Sequence, residues 1–475
     1  MAWLCIPVLL SSCATYNSKM QSYYSYVQQG NYTKALKSLE GNKFIKRGRN
    51  ELLYYMEMGK LYHLKNDFII SNRYFNLADN FMEGAGKSMG DIALGNLLNP
   101  MQQTYTGEDF ERFMVHYYKA LNYAALGLNE DAVVEARRIT LSTNTQGDKF
   151  TDKPNRYSKD AFALNLQGII YESAGDINNA FIAYRNAADV YLEAGGNYYG
   201  VTMPQQLKQD VLRTAAAMGF TGEVTRYEKL LGTSLQNNND NAGELVLFIE
   251  EGNAPVKKET NLLLTTGSNG ANFMYVDETG NNMNLPFNYS TYNLKSSKIT
   301  DLRALRVAIP KYEVQYNNNA AAAVTINGIS YTTSLAQNVN NVAVNILKER
   351  TLTELSNALA RQLTKKLVEK GVQAGTEAIA KSDDKKNSNN TDKDKKNKDK
   401  AEAAGQVAGL LVNIINAATE KADTRNWQSL PAFINYVRLP LKPGENELTI
   451  TINGKTQTLK VVANNRLQIL NYIPQ

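Results

Sequence analysis

Leu10, Ser11, Ser12 and Cys13 are neighbours whose types and order prescribe a reaction. Lipoprotein signal peptidase cuts a large aliphatic residue and two small ones ahead of a cysteine whose sulfur takes diacylglycerol. The apolar stretch from Trp3 to Leu10 is far shorter than the roughly 20 residues that span a bilayer, so it reads as an export signal rather than an anchor. No Lys or Arg precedes it, which leaves either a start upstream of residue 1 or a weak signal; the alternative is an ordinary buried N-terminal strand. The expectation is removal of residues 1–12 and a lipid on Cys13. Cys5 lies in the removed piece, so the exported chain would hold no disulfide and would depend on core burial alone.

Elsewhere the residues that could do chemistry do not converge. His63 and His116 fall inside helical patterns, at positions that pack, and read as structural or surface residues. The chain has no Cys/His zinc set, no G-x-S-x-G and no H-E-x-x-H. EGAGKSMG, starting at Glu83, is a partial phosphate loop: Gly84 stands too close to Lys87, and no apolar strand leads into it. Glu250 and Glu251 are adjacent at a strand end and so point to opposite faces, the wrong arrangement for a glycosidase pair. These residues predict no enzyme, no metal and no cofactor. One cluster is less plain: ADTRNWQSLP brings Asp423, Arg425 and Trp427 together, where Arg can pair with a carboxylate and stack on an indole. It is either a buried clasp at a junction or a contact for a partner or ligand.

Charge excludes one class of partner. Of the net +6, residues 381–400 supply +3 through eight Lys and five Asp. The rest is near balance, without the basic stripe that nucleic-acid phosphates require. Attachment of the Lys-rich tract to lipid headgroups stays open.

The elements that must position these residues come in two kinds. Residues 16–231 carry helix-period apolar patterning in which one spacing recurs. Gly168, Tyr171, Gly175, Ala180, Tyr184 and Ala187 follow the tetratricopeptide order, as do Gly59, Tyr62, Asn66, Ser71, Phe75 and Ala78. A third copy begins at Ala120 and a degenerate one at Tyr23. Small residues let paired helices approach and the tyrosines fill the gaps. Insertions are expected at Gly84–Asp109 and Thr143–Lys159, and a capping pair over Gln205–Leu231, with Lys208, Asp210, Arg213, Arg226 and Lys229 on its polar outer face. Adjacent tyrosines such as Tyr23 and Tyr24 cannot all pack inward on one helix face, so some are expected at solvent or in a groove.

After Leu235–Asn241 short strands take over, beginning with Leu245–Ile249 and closing with three strands joined in part by the type I′ turn pair Asn453-Gly454. Two helical patterns, 337–380 and 401–421, interrupt them, separated by an apolar-free tract that predicts disorder at 381–400. Ala403–Thr419 is uncharged, but at 17 residues with Gln406, Asn413 and Asn416 it reads as a packed helix rather than a membrane span. The predicted fold is α+β multidomain: a tetratricopeptide-like α-solenoid at 13–234, an antiparallel β-sandwich-like domain from 242–336 plus 427–475, and a helical hairpin inserted at 337–426.

Several stretches resemble an uncharacterised family of tetratricopeptide-like lipoproteins of Gram-negative envelopes: LKQDVLRTAAAMGFTGEVTRYEKLLG, GELVLFIEEGNAPVKKE, LRVAIPKYE and ADTRNWQSLPAFINYVRLPLKPGENEL. The resemblance implies an envelope address, and kinship with lipoproteins that activate penicillin-binding proteins implies work around cell-wall synthesis. ATYNSK after Cys13 lacks an Asp at the second position, which would signal inner-membrane retention, and lacks the acidic run of surface-exported lipoproteins. The expected location is the outer membrane, facing the periplasm. The leading expectation is a lipid-anchored scaffold whose groove holds an envelope protein. The rival is a β domain that binds glycan or peptidoglycan through Arg425 and Trp427.

Overall fold

The computed structural model describes residues 15–84, 100–148, 159–236, 242–266, 272–276, 280–292, 304–384 and 421–474. Cys13 and, but for Lys421, the second helical pattern at 401–421 lie outside them.

Helices pair in succession along the first half: α1 (Tyr16–Gln28) with α2 (Tyr32–Gly41), α3 (Glu51–Leu64) with α4 (Phe68–Gly84), and α5 (Asp109–Ala125) with α6 (Asn129–Asp148). Next come α7 (Ala161–Ser173) with α8 (Ile177–Glu193), then α9 (Gln205–Ala217) with α10 (Thr221–Leu231). Each pair packs on the one before it. The close approach within a pair depends on bare backbone: a Cβ on Gly59 would stand 2.5 Å from the Phe75 ring, and one on Gly168 would stand 2.4 Å from Tyr184. The first and second helices of the pairs differ in burial. Every residue of α7 is buried, whereas α4, α6, α8 and α10 leave Ile69, Val134, Ile182 and Leu230 exposed.

A sheet covers the first helices. Its order is β10 (Ser334–Asn338), β11 (Phe433–Pro440), β3 (Glu244–Glu251), β14 (Leu467–Tyr472). Alternation splits β3 between two cores: Val246 and Phe248 join the helical core, while Leu245, Leu247 and Ile249 meet Val324, Ile326, Leu448 and Ile450 of a second sheet. That sheet runs β13 (Lys455–Val462), β12 (Glu445–Ile452), β8 (Ala323–Ile326), β9 (Ile329–Thr332). Asn453 and Gly454 both have positive φ, 49° and 76°, as the type I′ hairpin requires. A third sheet, β6 (Asn282–Pro286), β5 (Asn272–Val276), β4 (Val256–Thr266), β7 (Ala304–Glu313), packs on the long helix α11 (Val339–Asp384) through Leu355, Leu359 and Leu363. A two-stranded ribbon, β1 (Asn197–Tyr198) and β2 (Val201–Thr202), precedes α9. The class is α+β, and no described helix is long and apolar enough to cross a membrane.

Four expectations need correction. β14 pairs with β3 in parallel, Leu467 opposite Glu244, so that sheet is mixed rather than antiparallel. Helix α11 runs on to Asp384, into the first residues of the tract expected to be disordered. Asp210 is 1% exposed and belongs to a buried ion network instead of a polar outer face. Tyr23 and Tyr24 are both buried, because the single carboxylate of Glu57 accepts from both hydroxyls, at 2.9 and 2.7 Å.

Candidate functional site

Between α11 and β11 the chain crosses the helical array as an extended strap, residues 421–432, buried almost throughout. A segment outside regular structure must find partners for its backbone polar groups. Here they come from distant side chains and loops. Trp427 N donates to Glu111 Oε1 at 2.7 Å, Ala254 N donates to Leu430 O at 2.7 Å, and Ala432 N donates to Glu251 O at 2.9 Å. Asn426 acts as a bridge, accepting from Lys257 N and donating to Pro255 O.

Arg425 is 1% exposed and spends its donors inside the molecule. Nε and Nη2 hold both oxygens of Asp423, at 2.8 and 2.6 Å. Nη1 donates to Arg49 O, Asn50 Oδ1 and Gln103 O, fastening the short turns at Gly48–Asn50 and Pro100–Gln102 to the strap. Its guanidinium lies 5.2 Å from the Tyr105 ring centroid. Trp427 is fully buried against Phe75 and Tyr118, and its Nε1 donates to Ser429 Oγ at 3.0 Å. The cluster is therefore an internal clasp between the helices and the returning chain. Arg425 and Trp427 offer no surface to a ligand or partner; only Asp423, whose side chain is 26% exposed, reaches solvent. Sequence reasoning put the three residues together but could not see that their main contacts are with helices α4 and α5 and with the turns that precede α3 and α5.

The strap rests on two carboxyls that sequence reading missed. Glu57 accepts from Tyr23, Tyr24 and Ser429, and Glu111 accepts from Tyr105, Glu108 N and Trp427 N. Burial pushes both up to about 7; hydrogen bonds oppose this at Glu57, and the nearby Glu108 charge adds to it at Glu111. Glu108 behaves oppositely. Burial disfavours its charge, but Lys257 at 2.5 Å and Arg350 at 2.7 Å hold it down at about 2. A usable signal existed: in ELLYYMEMGKLYHL, Glu57, Lys60 and His63 recur every third residue inside an otherwise apolar helix, a polar face that can only be buried if it is paired.

Lys60 and His63 sit beside Glu250, whose side chain leaves β3 toward the helices. Glu250 takes Lys60 Nζ at 2.6 Å, both tyrosine hydroxyls of Tyr117 and Tyr118, and Asn471 Nδ2 at 2.7 Å. His63 Nδ1 donates to Asn122 Oδ1 at 2.6 Å; burial and the Lys60 charge lower its pKa to about 4. Glu251 points away, to Asn435. Further along the seam, Arg438 meets Glu172 through two bonds of 2.9 and 2.7 Å and Asp210 at 3.0 Å.

The other histidine, His116, lies with Asp79 and Glu135 in a buried group whose ligand atoms fall within 4.8 Å of one another. Lys119 Nζ stands between the carboxylates, 2.7 Å from Asp79 and 2.8 Å from Glu135, and Arg138 adds a second cation at 2.5 Å. The ammonium fills the place a metal would take, so the group is a closed ion network. EGAGKSMG lies largely outside the described residues.

Together these features define an α+β chain with a polar seam and a clasped strap between its helices and its sheets. No protein-family model matches the chain, and no curated protein matches it.

Proposed function

We propose that this chain is a non-catalytic scaffold of a Gram-negative envelope, acylated at Cys13, held in the outer membrane facing the periplasm, and engaged with a protein partner in envelope or cell-wall assembly. In this reading the helical pairs are a tetratricopeptide-like solenoid and the two facing sheets a β-sandwich-like module. The spacing of Gly59 with Phe75 and Gly168 with Tyr184 supports the first, and the shared core of Leu247 and Ile450 supports the second.

The observation that carries the proposal is the strap. The aromatic-lined face of the helical array already holds an extended peptide, residues 421–432, through main-chain and side-chain contacts. Groups that could do chemistry, Glu57, Glu111, Glu250 and Lys60, are consumed in holding that peptide and the sheet. With the inner face filled, the partner falls to the second helices, where Ile69, Val134, Ile182 and Leu230 are outside. Photo-crosslinkers placed at Ile69, Val134 and Ile182 in living cells should trap the same envelope protein. No adduct at any of the three, in a folded and acylated chain, would sink the proposal. Metabolic labelling with palmitate, lost in Cys13→Ala, checks the anchor separately.

A further inference from the structure

The near balance of charge hides a local concentration. Residues Asn42–Asn50, between α2 and α3, read NKFIKRGRN, with Lys43, Lys46, Arg47 and Arg49 and no acid. The loop is shaped by its apolar pair. Ile45 is buried and Phe44 packs 6.3 Å from the Tyr16 ring, which turns Lys43, Lys46 and Arg47 outward, all three exposed. Asn42 fixes the entry: its Oδ1 accepts from Phe44 N at 3.0 Å, and its Nδ2 donates to Lys19 O at 2.8 Å in the first turn of α1. Lys19 is exposed on the same end of the molecule.

Among the described residues none of Lys19, Lys43, Lys46 and Arg47 is in an ion pair. Lys46 Nζ donates to the main-chain oxygen of Glu40 and lies over Tyr54. The nearest acids in sequence are Glu40 and Glu51, and Glu51 already accepts from Tyr55. The loop is thus tied to the start of α1, and Thr15, which caps α1, follows Cys13 by two positions. Two residues reach at most about 7 Å, and charges act on a surface over about 8 Å at physiological salt.

We propose that Lys43, Lys46 and Arg47, with Lys19, form a docking surface for the phosphate headgroups of acidic phospholipid. The surface lies against the leaflet that receives the acyl chains of Cys13. This rests on the lipidation reading above and adds an orientation: the α1–α2 end faces the bilayer and the later helix pairs project from it. A lipid anchor alone leaves a chain free to swivel, and a basic patch beside it supplies the second attachment.

The test uses the full chain carrying Cys13→Ser, so that no acyl chain contributes, in sedimentation with vesicles. Vesicles of phosphatidylglycerol and phosphatidylethanolamine should bind it; vesicles of phosphatidylcholine should not. Each cation removed should weaken binding about fivefold, so Lys43→Glu, Lys46→Glu and Arg47→Glu together abolish it, as does about 0.5 M salt. If the charge reversals disturb folding, seen as a lowered thermal midpoint, Lys43→Gln with Lys46→Gln gives an intermediate loss. Equal binding to both vesicle types, or binding indifferent to these substitutions, overturns the proposal. Displacement by millimolar inorganic phosphate, or tighter binding to a short DNA duplex, overturns it as well. Mass spectrometry of the Cys13 peptide from cells reads lipidation independently, so an unacylated chain that still binds acidic vesicles removes the anchor and keeps the surface.

Discussion

The main-chain N–H of Trp427 donates to Glu111 Oε1 at 2.7 Å, although 316 positions separate the two residues. A carboxylate on the first turn of α5 thereby holds the backbone of a strap near the other end of the chain. The same carboxylate completes the capping box of its own helix through Glu108 N, so helix start and strap position are set by one group. What disturbs Glu111 must disturb both.

The first consequence is an unusual dependence on pH. Glu57 and Glu111 have carboxyls raised from 4.5 to about 7 in the folded chain, and Asp160 is raised by burial to about 6. Between these limits the folded state binds more protons than the unfolded one, so stability falls as pH rises, by up to roughly 3 kcal/mol for each glutamate. His63, held neutral down to about 4, opposes this between 4 and its ordinary value. Glu108 and Glu172, held down at about 2, lose their contribution only as pH falls below about 4.5. The thermal midpoint should therefore be higher at about pH 5 than at about pH 8, with the difference reduced in Glu57→Gln. A midpoint that rises steadily to pH 8 would count against these assignments.

Arg425 fastens the strap to two turns and to Asp423. Arg425→Ala leaves a carboxylate and several buried carbonyls without donors, a loss of about 3–5 kcal/mol by analogy with broken buried pairs. Arg425→Lys should recover little of it, because an ammonium cannot reproduce the planar fork. Urea unfolding reads both. A lysine variant as stable as the parent would mean that charge alone matters here.

Gly168 and Gly222 make a matched pair. In a helix, Gly→Ala is worth up to about 1 kcal/mol in propensity. At Gly168 the new methyl would meet Tyr184 at 2.4 Å, and overpacking costs about 1–3 kcal/mol, so Gly168→Ala should destabilise. Nothing lies within 4 Å of a Cβ at Gly222 in α10, so Gly222→Ala should stabilise slightly. Unfolding midpoints moving in the same direction would refute the packing argument.

Lys119 shields Asp79 from Glu135. Lys119→Ala removes the ammonium and leaves an imidazole and two carboxylates within 4.8 Å, a donor set suited to zinc. The variant should lose stability and regain part of it on addition of zinc, whereas the parent chain should not respond. A zinc-dependent midpoint in the parent would mean that the lysine is readily displaced.

The helical half was legible because its restraint is local: Gly168 and Tyr184, sixteen positions apart, must meet whatever else the chain does. Strands β3 and β11 were legible as short apolar runs, and β12 from apolar alternation and the Asn453-Gly454 turn that follows it. The strap was not, since Trp427 takes meaning from Glu111, Phe75 and Tyr118, none of which lies near it in sequence. Strand β14 escaped notice because its partner, β3, lies more than two hundred positions earlier, and its parallel pairing gives no hairpin signal. Asp210 looked like a surface residue because its partner Arg438 belongs to another element altogether.

The strap also sets an order of events at birth. Helices α1 to α10 end at Leu231, whereas the peptide that covers their inner face begins only at 421. During synthesis the nascent helices would wait with Phe75, Tyr118, Glu57 and Glu111 bare to water until residues 421–432 arrived. Contacts of such long range close slowly, and exposed aromatic surface aggregates in the interval. A chaperone that met the chain in this interval would find its client half-finished.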